Sequence, residues 1–206
     1  MAFPDHGFAW LRQNMGVSCE CFASPLNCYN SSFFSIARDV DRYFGSRGNF
    51  FCYRGTSIPI SPLPLNGVPI TGGSFEANPP FVESIMAEMA KNIELVLSTN
   101  TAPFSFVIII PGWDDDGCEC YQILNNSTYA RPHKGYKLVL DKKQHNYRPG
   151  MQHRAHLVEQ PSNVNTFVFF LQNDAGAAKW PVSIEKNQEL KQLLKQDTRD
   201  FYDSVR

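Results

Sequence analysis

Apolar and polar positions along this chain form blocks that predict strands and helices in alternation. Two runs, 104–110 and 166–171, are apolar at nearly every position, which is typical of strands covered on both faces. Before the first of these runs, the apolar residues from 82 to 97 recur with the helical period. Shorter strands are predicted at 17–22, 75–77 and 136–140. Strands and helices that alternate in this way predict an α/β fold with a mostly parallel sheet.

The remaining segments complete this outline. Further helices are predicted at 6–15, 27–37 and 121–127, and 184–201 is expected to be a peripheral helix or fraying tail after a core of residues 1–183. The segment 55–73 holds four prolines, so we expect a long loop with a functional role.

The amino-acid composition is typical of a folded globular domain. The chain has 206 residues, 43% hydrophobic residues and a formal net charge of −1, so it is long enough for one domain with a real core. The N-terminus has neither a basic region nor a long apolar run, and we expect no secretory signal and no membrane span. Six cysteines then predict reduced thiols in the cytosol or nucleus.

The nearly even charge hides a basic segment at 131–156. Two tyrosines, Tyr136 and Tyr147, are interspersed among its charges. Its seven basic residues face one acid, Asp141; they are Arg131, Lys134, Lys137, Lys142, Lys143, Arg148 and Arg154. Basic residues with interspersed aromatics are typical of a surface that contacts a nucleic-acid backbone. The alternative is a solvated basic face that serves only solubility.

Two turns follow predicted strands directly, at 24–27 and 78–81. Ligands of parallel sheets bind beyond the carboxyl ends of the strands, so we expect both turns to lie at one ligand-binding edge. The second turn is Asn78-Pro79-Pro80-Phe81. The Asn78 side-chain oxygen and the Pro79 carbonyl can accept hydrogen bonds from the amino group of adenine, and Phe81 can stack on the base. The alternative is a helix start, with asparagine as N-cap and proline at the first helical position.

Other chemistry has weaker support. The pairs Cys19-x-Cys21, Cys118-x-Cys120 and His153-x-x-His156 lack the usual spacing of a zinc site, so no metal is predicted. There is no nucleophile-elbow sequence and no Gly-rich phosphate loop. The acidic cluster 114–116 is expected to be a solvated loop.

Several sequence words occur in a fixed order from about Gly16 to Trp180. They are CFASPLNCY at 21–29, YFGSRG at 43–48, GSFEANPPF at 73–81, YRPGMQH at 147–153, and FLQND with AKW at 170–180. In these words the chain resembles the catalytic core of the phosphorylated-CTD-interacting factor family, whose members are cap-specific adenosine N6-methyltransferases.

The resemblance implies a Rossmann-like fold that uses S-adenosyl-L-methionine, with helices on both faces of the sheet. It implies that the base amino group meets Asn78, Pro79, Pro80 and Phe81. The cofactor residues it implies are Ser24, Pro25, Leu26, Asn27, Phe44, Gly45 and Glu76. The predicted substrate residues are Lys134, Lys137, Lys142 and Lys143 from the basic segment, together with Arg148, Gln152 and His153, which belong to the family word at 147–153. The implied partner is RNA, most specifically the capped 5′ end of mRNA, and the implied compartment is the nucleus.

The chain also departs from this family. Family members carry a long N-terminal region with a helical module, so we expect a helper domain or subunit to complete substrate recognition. The loop 55–73 is longer than usual between its two flanking words and is expected to reshape the substrate entrance. Two alternatives stay open: adenine N6-methylation of DNA or another RNA, and a catalytically silent paralogue that acts as a binding module.

Overall fold

A five-stranded sheet lies at the centre of the computed structural model, which describes residues 2–53, 71–113, 117–130, 135–148 and 160–204, with side chains through residue 195. The strands of the described residues are β1 (Val17–Glu20), β2 (Gly73–Ala77), β3 (Phe104–Pro111), β4 (Lys137–Leu140), β5 (Asn146–Tyr147), β6 (Gln160–Pro161) and β7 (Thr166–Gln172). The central sheet has the order β1-β2-β3-β7-β4, and β5 pairs with β6 separately.

The sheet is mostly parallel, as the alternation of strands and helices predicts. β1, β2 and β3 pair in parallel. β7 is antiparallel to both β3 and β4, so β4 runs in the same direction as the first three strands. One reversed strand therefore lies inside an otherwise parallel sheet.

Helices cover both faces of this sheet, which confirms the predicted α/β class. The helices are α1 (Asp5–Met15), α2 (Arg38–Asp41), α3 (Glu83–Thr99), α4 (Glu119–Asn126), α5 (Asp174–Lys179) and α6 (Ile184–Ser204), with 3-10 turns at Arg42–Phe44 and Phe50–Cys52. Apolar side chains of α3 and α4 join one core cluster, and those of α1 and α6 join the other. Among the described helices none is both long and apolar enough to cross a membrane.

Side-chain alternation along β3 divides the core between the two faces. Phe106 and Ile108 belong to the cluster on the α3 side, whereas Val107 and Ile109 belong to the cluster on the α1 side. All four are fully buried, and burial of such side chains contributes about 1.5–3 kcal/mol each. The continuous apolar run thus reflects a strand with helices on both sides.

The helix predicted at 27–37 is wrong. Phe33 instead forms bridges with Glu20 and Ser46, so this stretch runs extended beside β1. The Glu20 carboxylate accepts the backbone N–H groups of Tyr29 and Asn30. Those two donors would otherwise have to be satisfied within a helix, and a buried carboxylate with extended pairing outweighs local helix propensity here.

The C-terminal helix α6 contributes to the core along its first half. Leu190 and Leu194 are buried in the same cluster as Leu11 of α1. Lys186 also donates to the backbone carbonyl of Asn14 at 3.1 Å. These contacts attach the start of α6 to α1 and to the sheet.

Candidate active site

A pocket of about 580 Å³ opens at the carboxyl ends of β1 and β2. Residues from both strand-end turns line it, including Ser24, Asn27, Asn78 and Phe81. The parallel pairing of β1 with β2 brings these turns to one edge of the sheet, as the sequence predicts. The size lies within the range of small-molecule and cofactor sites.

The Asn-Pro-Pro-Phe segment lines this pocket and does not cap a helix. β2 ends at Ala77, and α3 begins only at Glu83, with Val82 as its N-cap. Asn78 therefore lies outside the positions that cap α3. The helix-start interpretation of the motif is excluded, and the segment connects strand and helix along the wall of the pocket.

The turn after β1 holds its shape by internal hydrogen bonds. The Asn27 side-chain oxygen accepts from the Ser24 backbone N–H at 2.6 Å and from the Ser24 hydroxyl at 3.1 Å. The Ser24 carbonyl in turn accepts from the backbone N–H of Asn27 at 3.0 Å. Ser24 and Asn27 line the pocket; Pro25 and Leu26 are not among its lining residues, and Leu26 is 81% exposed.

The walls of the pocket are largely aromatic. The phenylalanines that line it are Phe3, Phe8, Phe22, Phe34, Phe50, Phe51 and Phe81. They come from the N-terminus, from α1, from the chain after β1, from the 3-10 turn at Phe50–Cys52 and from the segment after β2. Flat apolar walls with few polar groups suit a purine ring and its sugar.

Two carboxyl groups stand next to each other in the pocket wall. Glu20 ends β1, Glu76 is its register partner on β2, and both line the pocket. Burial raises the pKa of Glu20, although hydrogen bonds from Asn30 and Tyr29 oppose this. Burial also raises the pKa of Glu76 well above its ordinary range, and the negative charge of Glu20 adds to the effect.

Phe44 and Gly45 are not among the residues that line the pocket. Phe44 is 63% exposed. Gly45 has φ of 108°, and a Cβ atom there would collide with the carbonyl oxygen of Ser31. The need for glycine at this position therefore has a backbone explanation.

Lys137, predicted from the basic segment to contact substrate, is held in a cage on the sheet. Its ammonium group lies 5.1 Å from the ring centroid of Tyr121, 5.3 Å from that of Phe167 and 5.7 Å from that of Phe169. It also donates to the Tyr121 hydroxyl and to the Asn125 side-chain oxygen. These contacts hold the cation against α4 and β7.

The other described basic residues lie at the surface. Lys142 and Lys143 are exposed in the turn after β4. Because β4 runs parallel to β2, this turn lies at the carboxyl end of the parallel strands, as the pocket does. Arg148 is exposed and forms an ion pair with Asp5 at 2.6 Å. Lys134, Gln152 and His153 lie outside the described residues.

His145 belongs to the core, although the sequence places it in the basic segment. One ring nitrogen lies 2.8 Å from the Thr166 hydroxyl and the other 2.9 Å from the Asp141 carbonyl. Burial lowers the pKa of His145. This histidine is neutral at physiological pH and connects β5 to β7.

The four cysteines considered as metal ligands are buried in the core. Burial raises the pKa of Cys19 to about 12. Cys118 donates to the Glu83 carboxylate at 3.3 Å. Within the described parts of the chain, no group of three or more histidine, cysteine, aspartate or glutamate side chains has a geometry that could hold a metal ion.

Sequence reasoning missed Glu20 and most of the aromatic wall. Glu20 is the only charged residue in the predicted strand 17–22, and this position is the signal that could have identified it. The wall combines residues far apart in sequence, such as Phe3 and Phe50, which no local pattern joins.

Comparison with known proteins identifies two kinds of relative. The family model described as phosphorylated CTD interacting factor 1 WW domain matches residues 1–150, a range that includes the elements from α1 to β5. An mRNA (2'-O-methyladenosine-N(6)-)-methyltransferase of Homo sapiens is 38% identical over 200 residues, and its Mus musculus counterpart is 39% identical. Each match covers 96% of this chain and 26% of the relative, so the chain spans about a quarter of their length.

Proposed function

This chain belongs to the phosphorylated CTD interacting factor 1 family, and we propose that it forms the catalytic pocket of an adenine N6-methyltransferase. One observation carries the proposal. The Asn-Pro-Pro-Phe segment leaves β2 along the wall of an aromatic pocket and does not cap the following helix. Residues placed in this way border the space that a ligand would fill.

The chemistry that this segment suits is activation of an exocyclic amine. The amino nitrogen of adenine is a poor nucleophile because its lone pair is delocalised into the ring. The side-chain oxygen of Asn78 and the backbone carbonyl of Pro79 are acceptors for its two hydrogens, and accepting both localises the lone pair on nitrogen. Two prolines restrict the backbone of the segment. Positioning of this kind supplies a large part of the rate.

Phe81 is suited to hold the base. Its ring is half-buried and packs against both core clusters. An aromatic ring that is fixed from behind can stack on an unstacked nucleobase at little entropic cost. We assign the base-orienting role to Phe81.

S-adenosyl-L-methionine is the methyl donor we propose, and it supplies an electrophilic methyl group when bound. The residues of the pocket fit it: aromatic walls suit its adenine, and a carboxyl oxygen of Glu76 is buried at the wall without a hydrogen-bond partner among the described residues. We propose that Ser24, Asn27 and Glu76 hold it. Contacts from Pro25, Leu26, Phe44 and Gly45 stay predictions.

RNA is the proposed substrate, and the finer proposal is the cap-adjacent 2′-O-methyladenosine of mRNA in the nucleus. The activity by which both relatives are named supports this. The exposed Lys142 and Lys143 lie at the same end of the strands as the pocket, where a phosphate backbone could pass. We propose that Arg148 and the basic residues outside the described ranges extend this contact, together with a helper domain or subunit.

A panel of methyl acceptors tests the proposal. We expect transfer of labelled methyl to capped RNA that begins with 2′-O-methyladenosine, weaker transfer to the same RNA without a cap, and little to single-stranded or duplex DNA. Asn78→Ala should abolish every transfer, and Asn126→Ala, an exposed asparagine at the end of α4, should not.

The panel also separates the alternatives. Preferred transfer to DNA or to uncapped RNA would replace the cap-specific substrate with another adenine-containing one. A folded chain that binds the donor at no concentration up to the millimolar range would overturn the enzyme proposal and favour a binding module.

A further inference from the structure

Two glutamates lie side by side at the ends of β1 and β2, and they differ in the hydrogen-bond donors around them. Glu20 and Glu76 are register partners, and neighbouring strands lie about 4.8 Å apart. Both residues line the pocket and are only 3% and 1% exposed, respectively. Two carboxylates this close in a buried site cannot both ionise without a large cost.

Hydrogen bonds decide which of the two holds the proton. One oxygen of Glu20 accepts from the backbone N–H of Tyr29 at 2.9 Å, from that of Asn30 at 2.6 Å and from the Asn30 side chain at 3.3 Å. Within the described residues, the Oε1 atom of Glu76 is buried without any donor. The negative charge therefore belongs on Glu20 and the proton on Glu76.

The titratable groups around Glu76 do not supply a compensating charge. Besides Glu20, they are Cys19 and Cys21 on the β1 side and Tyr147 of β5. Burial raises the pKa of both thiols and of the tyrosine, so these three groups are neutral at physiological pH. The described residues show no ion pair to Glu76.

We propose that the Glu76 carboxyl receives a cationic group of the methyl donor and releases its proton to solvent when the donor binds. This inference rests on the proposed function. The O–H bond of the neutral acid breaks, the proton goes to water, and the resulting carboxylate is paired with the incoming cation. A buried acid that ionises only beside a cation makes the pocket selective for a charged ligand over a neutral one of the same shape.

The donor offers two cations, its sulfonium and its α-ammonium group. Glu76 and Asn78 are two positions apart at the end of β2 and both line the pocket, and two residues of strand span about 6.5–7 Å. Either cation of a donor bound beside Asn78 can therefore reach the Glu76 carboxyl. The sulfonium is lost in the demethylated product, S-adenosylhomocysteine, and the ammonium is retained, which allows the two to be distinguished.

Titration calorimetry in buffers of different ionisation enthalpy measures the released proton directly. For the wild-type chain we expect about one proton released per donor bound near neutral pH. Release with the demethylated product as well assigns the ammonium, and release with S-adenosylmethionine alone assigns the sulfonium. As pH is lowered below the pKa that Glu76 has in the protein without ligand, donor affinity should fall by up to tenfold for each pH unit.

Two variants complete the experiment. Glu76→Gln mimics the neutral acid in shape and should bind the donor more weakly with no released proton. Glu189→Gln, on the exposed side of α6, should release the proton as the wild type does. Donor binding with a buffer-independent heat overturns the inference and leaves the proposed function intact, as does proton release that persists in Glu76→Gln. Absence of any donor binding by the folded wild type overturns both.

Discussion

The ring of Phe81 meets the ring of Tyr147 edge to face, with centroids 6.1 Å apart and planes inclined by 75°. The Tyr147 hydroxyl lies 2.8 Å from the Thr166 hydroxyl, which also contacts His145 at 2.8 Å. A buried polar chain in β5 and β7 thus fixes the aromatic residue of the Asn-Pro-Pro-Phe segment. The orientation of Phe81 is therefore set by a residue that is not part of the pocket lining.

Replacing Phe81 by alanine should weaken substrate binding. Loss of one stacked base costs about 1–3 kcal/mol, so we expect KM for RNA to rise about five- to 150-fold with a smaller change in kcat. Steady-state kinetics together with a melting curve would separate stacking from loss of fold. Tyr43→Ala removes an aromatic ring that is 69% exposed and serves as the matched control. A KM equal to that of the wild type would show that Phe81 does not hold the base.

Asn78→Ala should remove methyl transfer while the protein stays folded. The variant loses the side-chain acceptor for the amine in the transition state, and such a loss costs on the order of a hundredfold or more in kcat. Because Asn78 does not cap α3, the melting temperature should change little. Single-turnover rates with saturating donor and RNA would measure the effect. Turnover close to the wild-type rate would refute the assigned role.

Charge reversal at Lys142 and Lys143 should weaken RNA binding and reduce its dependence on salt. If each lysine neutralises one phosphate, the slope of log affinity against log salt should fall by about 1.4 for a single strand. Fluorescence anisotropy at several salt concentrations measures this. A double reversal at Arg12 and Lys179, which lie near the opposite end of the strands, is the control for net charge. An unchanged slope would indicate that the turn after β4 serves only solubility.

Lys137→Ala should act on stability and not on RNA binding. The variant loses cation–π contacts with three rings and two hydrogen bonds, which together are worth about 1–3 kcal/mol. Chemical denaturation should show the loss, and the salt dependence of RNA binding should stay as in the wild type. The opposite pattern, with normal stability and a flatter salt slope, would place Lys137 on the substrate path.

Glu76→Gln should stabilise the protein without ligand, and increasingly so as pH rises. The pKa of Glu76 is raised from an ordinary value of 4.5, so the unfolded chain ionises first. Stability conferred by the neutral acid is complete below pH 4.5 and falls by about 1.4 kcal/mol per pH unit from there up to the folded pKa. The two proteins should therefore unfold alike at pH 4 and differ at pH 7. A constant difference across this range would show that Glu76 ionises normally.

Patterns within single segments were predictable from the sequence, whereas relations between segments were not. The apolar runs at 104–110 and 166–171 identify two buried strands, but burial on both faces carries no information about direction, and β7 proves to be reversed. The residues near Phe33 have acceptable helix propensity, yet pairing with β1 decides their conformation.

The same limit applies to the site. The Asn78 segment was identifiable because its chemistry is contained in four consecutive residues. The Glu20–Glu76 pair depends on the register between two strands, and the position of Lys137 depends on rings from α4 and β7. Composition predicts that the lysine is charged, but only packing shows that its charge is used inside the fold.

The strand order also has a consequence for how the chain reaches its native state. β4 joins the sheet through β7, and β7 lies between β4 and β3, although it follows β4 by more than twenty residues. During synthesis from the N-terminus, β4 must wait without its partner until residue 172 has left the ribosome. Pairing across such sequence separations is slow, and an unpaired apolar strand is prone to aggregate. The vulnerable period of this protein is therefore the time between synthesis of β4 and arrival of β7, when chaperones would have the most to protect.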